Sequence, residues 1–167
     1  YEILYLTEYV DEFTLQMLQK YDDKSFVNVA SEKLDTDSKE EKEELDKLNK
    51  DNKDMFEFMK EKLNINGVRF TKKLKNHPVC LTSEGNVSVE MEKVINAMPT
   101  DDHIDATKIL EINENHKIAA KIKELYESDK DALKDYTKIL YAQARLIEGL
   151  PIDNPTEITN LICEKLS

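Results

Sequence analysis

Glycine and proline are scarce in this chain, three and four among 167 residues. Few turn-makers beside many Lys, Glu and Leu exclude a fold dominated by tight reversals and point to a helix-rich one. The three glycines, Gly67, Gly85 and Gly149, are too scattered to build a phosphate-cradling loop. Only two cysteines occur, Cys80 and Cys163, far apart in apolar stretches. That excludes a disulfide framework, and the expectation is two free core thiols in a reducing cytoplasm. Neither has a second Cys or a His at metal-ligand spacing, and HExxH is missing. No apolar run approaches the roughly 20 residues that span a bilayer. Basic residues are in deficit, 24 Lys and Arg against 35 Asp and Glu, for a formal charge of −11. Without a basic stripe, neither nucleic acid nor an anionic membrane is expected as a partner.

Catalytic signals are equally sparse. His77 precedes a proline in a turn, His103 lies in an acidic loop, and His116 sits at a helix start, so each reads as a surface or capping histidine. Glu8, Asp11 and Glu12 are close together, but neighbouring acids are commonplace in so acidic a chain. No enzyme activity and no cofactor are expected of this stretch.

What is present is 40% hydrophobic and 35% charged residues, enough for a real core inside a heavily charged surface. The chain opens without an initiator Met on the apolar run Ile3-Leu4-Tyr5-Leu6, as expected of a segment of a longer protein. Residues 2–6 read as a buried strand, Asp11 as the cap of a helix running to Tyr21, and residues 25–29 as a second strand. Strand, helix, strand is a βαβ unit, too small to stand alone and so the tail of a preceding domain. A charged stretch follows, with Ser38 and Glu41 spaced as a capping box. A single helix from Ser38 to Leu63 would be about 39 Å long. The domain boundary is placed here, dividing residues 1–36 from 37–167.

Beyond Asn66-Gly67, the alternation at Val68, Phe70 and Leu74, a turn at Asn76-His77-Pro78 and the run Val79–Thr82 predict a β-hairpin. Ile109–Ile112 is a strand that could join it. Between them, a helix starting at Gly85-Asn86 carries Val87, Met91, Val94, Ile95 and Met98 on one stripe and stops at Pro99. Helical-period apolar residues are usually core. This helix is short and lies beside a polar loop, so its stripe is also a candidate surface for varied apolar partners.

Three helices close the chain, over residues 115–128, 129–149 and 154–166, the second ending on Gly149 and the third opening with Asn154-Pro155. In the second, Leu133, Tyr136, Leu140, Ala144 and Ile147 form one stripe, and Ile139, Leu146 and Leu150 a neighbouring one. The third adds Ile158, Leu161, Ile162 and Leu166. Arcs this wide exceed what one packing partner usually covers, which predicts a homodimer whose two chains each contribute two helices to a four-helix bundle, the alternative being that both stripes are spent within the chain. The fold class is α+β, with a short three-stranded sheet and helices.

These segments also resemble a known family. Residues 3–13, ILYLTEYVDEF, are similar to the VLYLTDPIDEF-like segment of heat-shock protein 90 chaperones, and residues 20–26, KYDDKSF, to their EFDGKxF stretch. Residues 91–97, MEKVINA, resemble MERIMKA; residues 110–116, LEINENH, resemble LEINPxHP; residues 140–149, LYAQARLIEG, resemble LYDQALLLEG. Each motif is short, but five occur in family order. The resemblance implies the end of a middle domain followed by the C-terminal dimerisation domain of an ATP-driven clamp that holds unfolded or partly folded clients. It implies that ATP and Mg belong to parts of the longer protein outside this chain. Carried over by position, it puts the client face on Val87 and Val94 beside Met91. The family has an apolar residue where Arg145 stands, so the interface there is looser or Arg145 reaches an acid. No MEEVD-type or KDEL tail follows Ser167, as expected of a bacterial cytoplasmic member. The competing reading is a helical homodimerisation scaffold with no client surface.

Overall fold

A computed structural model describes residues 2–8, 10–28, 39–85, 87–99 and 103–166. Among them the fold is α+β, in the order α1 (Asp11–Leu18), β1 (Lys20–Tyr21), β2 (Lys24–Ser25), α2 (Lys39–Asp51), α3 (Lys53–Leu63), β3 (Gly67–Thr71), β4 (Val79–Glu84), α4 (Val89–Asn96), β5 (Thr107–Asn113), α5 (Lys117–Ser128), α6 (Lys130–Ile147) and α7 (Pro155–Leu166). The chain forms two compact units, Tyr1–Leu34 with Ser83–Thr107, and Asp35–Thr82 with Lys108–Ser167.

In the first unit, residues 2–7 are exposed and irregular rather than a buried strand. A strand needs a neighbour to complete its hydrogen-bond ladder, and no described residue supplies one. Asp11 does not cap α1 from outside. It lies in the first turn, where its Oδ2 accepts from the backbone N–H groups of Thr7 and Glu8, both at 3.1 Å. The helix ends at Gln19, whose φ of 61° is left-handed, and so stops short of Tyr21. The expected parallel partner is replaced by an antiparallel hairpin, β1 against β2. Asp22 and Asp23 both take positive φ, 49° and 59°, which turns the chain back on itself within two residues. The βαβ expectation is thereby corrected; its last residue, Val29, lies outside the described residues.

The start of α4 is also shifted. Its cap is Ser88, in extended backbone, with Oγ accepting from Met91 N at 3.0 Å. The far end is held by Asn96, which donates from Nδ2 to Ile104 O at 2.9 Å and accepts at Oδ1 from Ile104 N at 3.0 Å. Glu92, buried, accepts from Ala106 N at 2.7 Å.

In the second unit the long charged helix is two helices. At Asn52 (φ −107°, ψ 14°) the side chain donates to Leu48 O at 2.8 Å and competes with the backbone ladder. The expected cap at Ser38 lies outside the described residues. Asn49, on α2, behaves like a neighbouring strand: Phe70 N donates to its Oδ1 at 2.8 Å and its Nδ2 donates to Phe70 O at 3.3 Å, closing the edge of β3.

The three-stranded sheet has the order β3-β5-β4. β3 runs parallel to β5, from Gly67 opposite Ile109 to Thr71 opposite Asn113, so β3 and β4 are not the hairpin that local alternation predicts. β5 is buried from Ile109 to Asn113 on both its faces, and a strand buried on both faces belongs in the centre of a sheet. Gly67 allows the close approach: a Cβ there would lie 2.8 Å from Ile109 Cδ1. Phe70, Met55, Met59, Leu110, Ile112, Ile122 and Leu133 are fully buried at the centre of this unit. Phe56 meets Phe70 edge-on, centroids 4.9 Å apart.

The last helices follow their caps. His116 Nδ1 accepts from Ile118 N (3.2 Å), Asp129 from Ala132 N (2.9 Å) and Asn154 from Glu157 N (3.2 Å). Gly149, at φ 66°, ends the turn after α6, where a side chain would be strained.

Candidate interaction surfaces

The α4 stripe divides along its length. Met91 is only 8% exposed, with its sulfur accepting from Gln16 Nε2 at 3.0 Å, so this residue faces inward beside buried Val89. Val87, Val94 and Ile95 are half-buried, and Met98 is 48% exposed. The open apolar area thus lies toward the C-terminal end of the helix, while its first turn is closed.

The wide arc of α6 is mostly covered within the chain. Leu133, Ile139, Leu140 and Ala144 are buried, in a helix that packs on α3, α5 and α7. Four of the expected interface residues therefore have almost no area to offer a second copy. Tyr136, Ile158, Leu161 and Ile162 are half-buried, while Ile147 is 53% and Leu166 82% exposed. Leu146, beside Ile147, is exposed too. Charge pairs tie α6 to α7: Lys138 with Glu157, and Lys165 with Asp135 at 2.9 Å. The hydrogen bond and charge of Lys138 hold the Glu157 carboxyl below its ordinary value, so this pairing acts above the carboxylate range and is lost as pH falls through the lowered value. Arg145 reaches an acid within the chain, Asp153, at 2.9 Å.

The sheet of the second unit holds a buried polar group of a different kind. Glu111 Oε1 accepts from Arg69 through Nε at 2.8 Å and Nη2 at 2.6 Å, and Cys80 Sγ donates to its Oε2 at 3.8 Å. Burial, then the negative charge of Glu111, pushes the Cys80 thiol up to about 12. Cys163, expected in the core, is instead exposed on α7. A disulfide-based thiol reagent at about pH 8 should therefore modify Cys163 alone in the folded chain, and Cys80 only on unfolding. Two fast-reacting thiols would contradict this. Among the described residues no group of three His, Cys, Asp or Glu is placed to hold a metal, and no helix is long and apolar enough to cross a membrane.

Sequence reasoning missed Ser88, Glu12 and the two clamping asparagines, Asn49 and Asn96. Ser88 stands one residue before the helical run, which is a cap signal. Asn49 and Glu12 reach residues 21 and 76 positions away, and Asn96 reaches past the end of its own helix to Ile104, so none leaves a local pattern.

Comparison with known proteins completes this picture. The family model described as "Hsp90 protein" matches residues 1–167. The chain belongs to the Hsp90 family of chaperones. It is 55% identical over 166 residues to "Chaperone protein HtpG" of Clostridium botulinum strain Hall, and 47% identical over 166 residues to the protein of that name from Bacillus subtilis strain 168. Each match takes in 98% of this chain but 26% of the relative, so the chain spans about a quarter of the length of the curated relatives it matches.

Proposed function

We propose that this chain is the dimerisation and client-binding region of an ATP-driven chaperone, with residues 1–36 ending a middle domain and 37–167 forming the C-terminal domain. Two copies pair through α6 and α7 as a four-helix bundle, and α4 with the residues flanking it offers Val87, Val94, Ile95 and Met98 to unfolded or partly folded clients in the cytoplasm. ATP and Mg are bound elsewhere in the longer protein, so this chain turns over no nucleotide by itself. The supporting observation is the apolar area left open at the end of α6 and along α7, chiefly Ile147 and Leu166. Large apolar side chains in water are what a second copy removes. A permanent pairing at this end makes the meeting of the two arms intramolecular, so that a weak nucleotide-dependent closure suffices.

Light scattering across a dilution series tests the pairing. A mass near twice 19.4 kDa that persists on dilution is expected. A single-chain mass at every concentration would overturn it.

A further inference from the structure

Two polar side chains one turn apart on α1 reach the first turn of α4. Glu12 Oε2 accepts from Ser88 Oγ at 2.7 Å, while its Oε1 accepts from Asn28 Nδ2 at 3.0 Å. Gln16 Nε2 donates to Met91 Sδ at 3.0 Å. Residues i and i+4 of a helix share a face, as do i and i+3, so Glu12 with Gln16 meets Ser88 with Met91 face to face. Ser88 is buried, and its hydroxyl does two things at once, accepting from Met91 N and donating to Glu12. A carboxylate acceptor makes this a charge-assisted bond, and it places negative charge near the partly positive start of α4.

We propose that Glu12 is a positioning residue for α4: through the Ser88 hydroxyl it locks the first turn of that helix to α1. The helix is then held at its start by Glu12 and at its end by the Asn96–Ile104 pair, with its open apolar residues near that second clamp. A displacement of α1 is passed to α4 through a part-buried, directional contact. The consequence for client binding rests on the reading of α4 proposed above; the tether itself does not.

Amide hydrogen exchange on the intact chain tests the tether. Glu12→Ala should speed exchange at Met91 and Glu92 by about tenfold, the loss of a hydrogen bond to a charged group, and leave α5 and α6 unchanged. Glu12→Gln, which keeps an acceptor, should restore exchange to within about twofold of the parent. Unchanged exchange at α4 in Glu12→Ala overturns the proposal, and so does equal acceleration throughout, which would mark a general loss of stability. Binding of reduced, carboxymethylated α-lactalbumin, a permanently unfolded chain, is measured in parallel with Val94→Asp. Weaker binding in both Glu12→Ala and Val94→Asp supports the positioning role. If Val94→Asp binds normally, the client reading of α4 fails, while exchange still decides the tether.

Discussion

Arg69→Met is expected to destabilise the chain by about 3 kcal/mol, the lower part of the range for breaking a buried ion pair. Glu111 is 2% exposed, and both Arg69 nitrogens converge on its Oε1. Removing the guanidinium leaves a carboxylate in the central strand without the cation that pairs with its Oε1, and with a weak thiol donor, Cys80, on its Oε2. Arg69 itself reaches solvent, so some water enters its place, which is why the upper part of the range is not expected. Against a typical domain stability of about 5–15 kcal/mol this is a large fraction, and the melting temperature should fall by roughly 10 °C. The double variant Arg69→Met, Glu111→Leu should recover most of the loss, because no buried charge is left alone. Urea unfolding of both variants decides the matter. A loss below about 1 kcal/mol in Arg69→Met would mean that the pair is solvated and behaves as a surface ion pair.

The second large effect separates two residues of one sequence stripe. Leu140→Glu should unfold the chain, whereas Ile147→Glu should leave it folded and split the proposed dimer. Leu140 is buried within its own chain, and a carboxylate there loses its hydration with no partner supplied, at a cost of several kcal/mol. Ile147 is more than half exposed, so the same substitution costs the fold little. In a two-fold interface every substitution occurs twice, and like charges face each other, which should weaken association by at least about tenfold. Circular dichroism reads the fold and light scattering the mass. A folded single chain from Leu140→Glu would return that residue to the interface. An intact dimer from Ile147→Glu would place the interface elsewhere.

These outcomes also mark how far the sequence could be read. The last three helices start and end within two residues of their expected bounds, since their caps and apolar spacing are written over neighbouring residues. The family was legible for the same reason, in five short runs of residues in a fixed order. Local patterns carry no information about who sits beside whom. Val68–Leu74 and Val79–Thr82 alternate like a hairpin, yet β5 inserts between them because it is buried on both faces. The long charged run reads as one helix, yet the backbone leaves helical geometry at Asn52, whose side chain shares the Leu48 carbonyl with its own N–H.

The candidate surfaces show the same division. Periodicity identified the apolar stripes of α4 and α6 but not which of their residues remain open. Met91 and Leu140 are closed while Met98 and Ile147 are not, and within each stripe all four have the same helical spacing. By itself, then, the sequence determined the family, the α+β class, the ends of the last three helices and the apolar faces of the helices, each recorded within a few turns of chain. Only the tertiary structure decided strand order, the Arg69–Glu111 pair, the Glu12–Ser88 tether and what remains exposed. Those depend on contacts between residues tens of positions apart, and burial belongs to the packed assembly of such contacts rather than to any one segment.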